Sequence, residues 1–118
     1  MATYSFRDLT VWQRAMKLTE DIYISIQALP KTELYALSDQ MKRCAVSVPS
    51  NIAEGQKRLN RKETIQFSGI ALGSLAELQT QLIRCQKIYS LDVDHLVDEC
   101  DQIGKMLTAL IKALRSKL

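Results

Sequence analysis

The chain is poor in the residues that interrupt helices. Four glycines and two prolines among 118 residues leave room for few turns, so the elements must be few and long. There is one histidine, His95, and the three cysteines, Cys44, Cys85 and Cys100, contain no CxxC pair, so neither a zinc site nor any other metal site is expected. Their odd number and wide spacing, each at an apolar helical position, argue against a disulfide frame and for reduced core residues of a cytoplasmic protein. No run of about eighteen uncharged apolar residues exists, so no membrane span and no membrane partner are expected. The opening MATYSFRDL lacks the basic head and apolar run of a signal peptide. Strand alternation, internal repeats, low-complexity tracts and a phosphate-cradling glycine loop are all missing.

Catalysis finds little support. A nucleophile–base pair needs a His or an activated Lys beside Ser or Cys, and His95 stands at the acid-rich start of the last helix as a surface residue. Pairs such as Asp94–Asp98 and Asp98–Asp101 have exposed helical spacing, unlike the Glu-x-x-His pairs of a di-iron bundle. The expectation is a protein that is not an enzyme and carries no cofactor.

What is present is ample apolar material. Forty-seven per cent of residues are hydrophobic and 25% charged, enough for one domain, residues 1–118, to bury a core without disulfide or metal. Sixteen basic against thirteen acidic residues give +3, an excess compatible with nucleic acid but not one that implies it.

The periodicity predicts four helices, at about 11–29, 33–60, 62–89 and 93–117, and hence an all-α, up-down-up-down four-helix bundle. Tyr4, Phe6 and Leu9 form a lead-in tucked against the bundle, and Thr10 with Gln13 fits a capping box. The first helix carries Val11, Ala15, Leu18, Ile22, Ile26 and Leu29. An adjoining stripe of Trp12, Met16, Tyr23 and Ile26 widens the face enough to touch two neighbours. Pro30 ends it, and Thr32 is the candidate cap of the second. There Leu34, Leu37, Met41, Cys44, Val48, Ile52 and Leu59 keep one phase through Pro49, which predicts a single helix kinked at the proline. Ser47 and Ser50 flank the kink and can bond freed backbone groups, and Gly55 on the apolar side admits a neighbour closely. The third seam is Ala71, Leu75, Leu78, Leu82, Cys85 and Tyr89, widened by Phe67, Ile70, Leu72 and Ile83. Gly69 and Gly73, four apart, read as a close approach between water-soluble helices rather than a membrane pair. The fourth seam, Leu96, Cys100, Ile103, Leu107, Leu110 and Leu114, is the most regular. Asp92 or Asp94 is its expected cap, and Lys112, Arg115 and Lys117 suit its negative end.

On the polar side of the second helix, Arg43, Ser47, Ser50, Glu54, Lys57 and Arg61 fall within roughly 80° of one another at about 100° per residue. Gln40, Asn51 and Arg58 fall on the boundary between faces, where a second helix or a second subunit is met. Asn51 is a candidate to satisfy backbone groups loosened by Pro49 or to bond a neighbour, and Glu54 to pair with Arg43, Arg58 or Arg61. Both residues read as structural or as ligand contacts. Lys57, Arg58, Arg61 and Lys62 place four cations in six residues, with Lys42 and Arg43 about four turns earlier. Such a cluster neutralises phosphates or is a solvated helix end. No aromatic interleaves it, so single-strand stacking is not indicated.

Five segments carry a family resemblance: Phe6–Trp12 (FRDLTVW); Leu34–Leu37 (LYAL) leading to Gln40–Arg43 (QMKR); Ser47–Gly55 (SVPSNIAEG), with Asn51–Gly55 its most specific part; Gly73–Leu78 (GSLAEL); and Gly104–Leu107 (GKML). Together they resemble the bacterial four-helix-bundle proteins encoded in 23S rRNA intervening sequences. That family is similar in turn to the accessory variability determinant of diversity-generating retroelements, a homopentameric barrel with a basic surface that binds nucleic acid and a reverse transcriptase. The resemblance implies a homo-oligomer, a pentamer by analogy, with RNA or DNA and a reverse transcriptase or other protein as partners. It transfers no binding residue, so the candidate site rests on Lys42, Arg43, Lys57, Arg58, Arg61 and Lys62. The expectation is a non-enzymatic, oligomeric nucleic-acid-binding protein. The competing one is a homo-oligomeric protein–protein scaffold without nucleic-acid affinity.

Overall fold

Four long helices account for most of the chain in the computed structural model, which describes residues 5–118. They are α1 (Thr10–Ser25), α2 (Leu37–Lys57), α3 (Arg61–Tyr89) and α4 (Asp94–Arg115), and among the described residues there is no strand. Each of α1 and α3 packs against both α2 and α4. The expected seams meet in one core, in which Leu18, Ile22, Met41, Val48, Ile52, Leu78, Leu82, Leu96, Ile103 and Leu107 are almost wholly buried. Burying one such side chain stabilises the fold by about 1.5–3 kcal/mol. No helix among the described residues is long and apolar enough to cross a membrane.

Pairs along α2 and α3 run in opposite senses. Met41 meets Cys85, Cys44 meets Glu77, Ser47 meets Ser74 and Gly55 meets Thr64. Gly55 is the close approach. A Cβ there would lie 3.0 Å from Phe67 Cβ and 3.2 Å from the Thr64 carbonyl oxygen. Gly69 and Gly73 are not one: both are exposed, and a Cβ on either would meet nothing within 4 Å.

The helix ends depart from expectation where tertiary contacts outbid local signals. Thr10 is the first residue of α1 rather than its cap; Leu9 holds the cap position, and the Gln13 side chain donates to Arg7 O at 2.8 Å. The lead-in packs as expected through Phe6, edge-on to Trp12 at 5.4 Å, and Leu9; Tyr4 lies outside the described residues. Beyond α1 the chain tightens into a 3-10 turn, Ile26–Ala28, before Pro30. A second such turn, Lys31–Glu33, postpones α2 to Leu37, so Thr32 caps nothing and Leu34 leaves the seam, 47% exposed. The Tyr89 hydroxyl, donating to Glu33, ties this segment to the end of α3. Val93, buried, takes the cap position of α4 in place of Asp92 or Asp94, and the Asp94 carboxylate accepts from the Gln86 side chain. At the far end of α4 the buried residue is Ile111 rather than Leu110, because a straight helix of 3.6 residues per turn drifts off a 3.5-residue seam.

Pro49 sits buried inside α2. Having no N–H, it leaves the Ala45 carbonyl without its helical donor. That carbonyl is met from α1: the Thr19 hydroxyl lies 3.0 Å from Ala45 O and 2.9 Å from Ala15 O, its one proton shared between them. The two serines do other work. Ser50 donates to Val46 O at 2.8 Å, and Ser47 pairs with Ser74 across the α2–α3 contact at 2.7 Å.

Candidate nucleic-acid interface

The basic turn between α2 and α3 is short and held from several sides. Arg58 leaves the helix in extended conformation, its N–H bonded to Gly55 O at 3.3 Å. Asn60 caps α3, its side-chain oxygen accepting from Glu63 N at 2.9 Å. The Thr64 hydroxyl bonds Gly55 O at 2.8 Å, closing the two helices on each other where Gly55 lets them approach. The Arg58 guanidinium covers the Phe67 ring at 4.7 Å and pairs with Glu54 at 2.6 Å, a contact of mixed cation–π and ionic character.

This construction leaves every side chain from Lys57 through Lys62 exposed. Lys57 and Lys62 have no ion pair among the described residues. Arg61 donates to Lys117 O at 3.3 Å, which brings the end of α4 beside the turn. Between them lies an open cleft of about 710 Å³ lined by Arg58, Leu59, Asn60, Arg61, Lys62, Thr64, Lys117 and Leu118. Leu59, expected on the buried seam, is fully exposed at 101%. The helix ends at Lys57, two residues before Leu59, so the helical phase no longer applies to it.

Lys42 and Arg43 stand apart. Fifteen residues of helix separate Lys42 from Lys57, about 22 Å of rise. Lys42 lies over the Tyr23 ring at 5.5 Å, and Arg43 pairs with Asp39 at 3.0 Å. They line a different hollow, of about 550 Å³, with Tyr23, Val46, Ser47, Ser50 and Asn51. Asn51 turns inward on its own helix, donating to both the carbonyl and the hydroxyl of Ser47 at 2.8 Å. It therefore supports the Ser47 carbonyl, two residues along from the Ala45 carbonyl that Pro49 frees. Gln40 lines a third, smaller hollow with Arg43, Cys44, Glu77 and Gln81. The six cations thus fall into two groups, and the structure adds Lys117 to the group at the turn. The sequence signal for Lys117 was the basic end of α4, which local reasoning assigned to the helix dipole alone.

The cysteines are free and buried. Burial and the Glu77 carboxylate push the Cys44 thiol up to about 11, and burial pushes Cys100 up to about 12. Burial also raises Cys85. All three are therefore neutral thiols at physiological pH, poor nucleophiles and poor metal ligands. Among the described residues no group of three or more His, Cys, Asp or Glu side chains is placed to hold a metal ion.

Four packed helices and a cationic turn define an all-α protein with one basic end. The model of the 23S rRNA-intervening sequence protein family matches residues 7–109, and the chain belongs to that family. Compared with the curated proteins, it matches none.

Proposed function

We propose that the protein is a non-enzymatic, homo-oligomeric binder of RNA or DNA backbones, acting through the cations of the α2–α3 turn. The observation that carries this reading is the exposure of Lys57, Arg58, Arg61 and Lys62 on one turn beside Lys117. Of these, only Arg58 is ion-paired among the described residues. Cations held in this way exchange counterions for phosphates without reading bases. Lys42 and Arg43 form a secondary patch, weakened by the Asp39 pair.

In this reading the protomer is an up-down-up-down bundle, supported by the opposed order of contacts along α2 and α3. Its second helix bends at Pro49, as the missing hydrogen bond favours. The family's resemblance to the accessory variability determinant of diversity-generating retroelements supports a homopentamer with a reverse transcriptase or another protein as partner, and the three free cysteines support a place in the cytoplasm.

The test is a titration of mixed RNA and mixed DNA at several salt concentrations. Affinity is expected to fall steeply between about 50 and about 200 mM salt, and Lys57→Glu with Lys62→Glu to remove it. Absence of binding at low salt would sink the reading.

A homo-oligomeric scaffold without nucleic-acid affinity is the second reading. Half-exposed apolar side chains favour it: Met16, Tyr23, Val46, Ile70 and Ile83 are each 38–44% exposed in the protomer. It requires a stable oligomer that leaves nucleic acid unbound, and loss of assembly on changing Asn51 or Arg58.

A further inference from the structure

One residue of the basic turn does not belong to an electrostatic surface. Leu59 is completely exposed, with Lys57 and Arg58 before it and Arg61 and Lys62 after it. A single exposed leucine is ordinary on a protein surface. This one differs in how it is held. The Arg58 N–H bond to Gly55, the Arg58–Phe67 stack, the Asn60 cap and the Thr64–Gly55 bond fix the backbone on both sides of it. An apolar tip presented by a restrained backbone loses little conformational freedom when it meets a ligand. Leu59 also lines the cleft that runs from the turn to Lys117.

The geometry points to a site for an unpaired nucleotide, with its phosphates against Lys62, Arg61 and Lys117 and its base face laid on Leu59. This rests on the nucleic-acid reading above and adds a preference to it. Cations alone clamp any backbone and are indifferent to base pairing. An apolar side chain on a base face needs a base that its neighbours do not cover, as at a bulge, a loop or a strand end. An anionic lipid surface would also attract cations around an apolar tip. The concave setting, with Lys117 across the cleft from the turn, favours a strand over a plane.

The experiment measures fluorescence anisotropy with two labelled RNA hairpins that differ only in a single-nucleotide bulge. The wild-type protein is expected to bind the bulged hairpin about tenfold more tightly. Leu59→Ser is expected to bind both hairpins equally, with unchanged salt dependence and an unchanged melting curve. Lys62→Ala is expected to keep the preference while lowering the salt slope by about one. Equal binding of both hairpins by the wild type, or a preference that survives Leu59→Ser, overturns the inference and leaves backbone binding standing. Binding of neither hairpin at low salt overturns both. Adsorption to phosphatidylglycerol vesicles that Leu59→Ser abolishes, without any bulge preference, assigns the tip to lipid and overturns it as well.

Discussion

The middle of α2 and the turn that follows it use polar side chains in opposite ways. Around Pro49 the polar groups are consumed inside the protomer. Thr19 answers the Ala45 carbonyl, Asn51 folds back on Ser47, and Ser47 bonds Ser74. Around Leu59 the backbone is held by its own bonds and by the Arg58 and Arg61 guanidiniums, while the exposed ammoniums of Lys57 and Lys62 are in no ion pair among the described residues. A segment whose hydrogen bonds all close internally is built for stability. One whose backbone is fixed while its charges face water has the form that the proposed nucleic-acid contact requires. Polar content alone would not have separated them.

The contrast can be broken at its two apolar residues. Ile52 is 1% exposed and Leu59 101%. Ile52→Ala is expected to cost about 2–5 kcal/mol in urea unfolding, whereas Leu59→Ala should stay within about 0.5 kcal/mol. A comparable loss at Leu59 would mean that it packs inside the folded protein.

A sharper probe concerns the freed carbonyl. Thr19→Val removes the hydroxyl and strands Ala45 O, at an expected cost of about 1–3 kcal/mol. Pro49→Ala restores a backbone N–H four residues after Ala45. In that background the cost of Thr19→Val should fall toward zero, a coupling that a double-mutant cycle reads directly. Additive effects would show that the hydroxyl does not replace the missing bond.

The smallest effect separates the glycines. Gly55→Ala meets Phe67 and Thr64 and is expected to destabilise by about 1–3 kcal/mol. Gly73→Ala enters open space and should stabilise the protomer by up to about 1 kcal/mol through helix propensity. Thermal unfolding checks both. If Gly73→Ala instead lowers the melting temperature, another copy covers that face of α3.

Most of the fold was legible because a buried helix face writes itself into apolar spacing. Val11 to Ile22, Met41 to Ile52, Ala71 to Cys85 and Leu96 to Leu107 are buried where the period puts them. Leu34, Leu59 and Leu110 mark where spacing loses its meaning. The first two lie outside helix altogether, and the third lies past the point where the seam drifts. The caps failed for a related reason: a buried Val93 and the Tyr89–Glu33 bond set helix ends more strongly than a nearby Thr or Asp. Of the candidate site, the four cations of the turn were legible as a run. Their separation from Lys42 and Arg43 follows from helix rise, and their company with Lys117 does not follow from local sequence at all.

The sequence by itself determined that the chain is helical, which faces are apolar and where positive charge is dense, because these depend on residues within a few turns of one another. Only the tertiary structure decided which groups meet. Thr19 reaches the carbonyl that Pro49 orphans, Gly55 rather than Gly69 or Gly73 is the close approach, and the end of α4 lies beside the α2–α3 turn. Those choices are settled by packing between helices, where a hydroxyl, a missing Cβ or a cation takes its role from a residue distant in the chain.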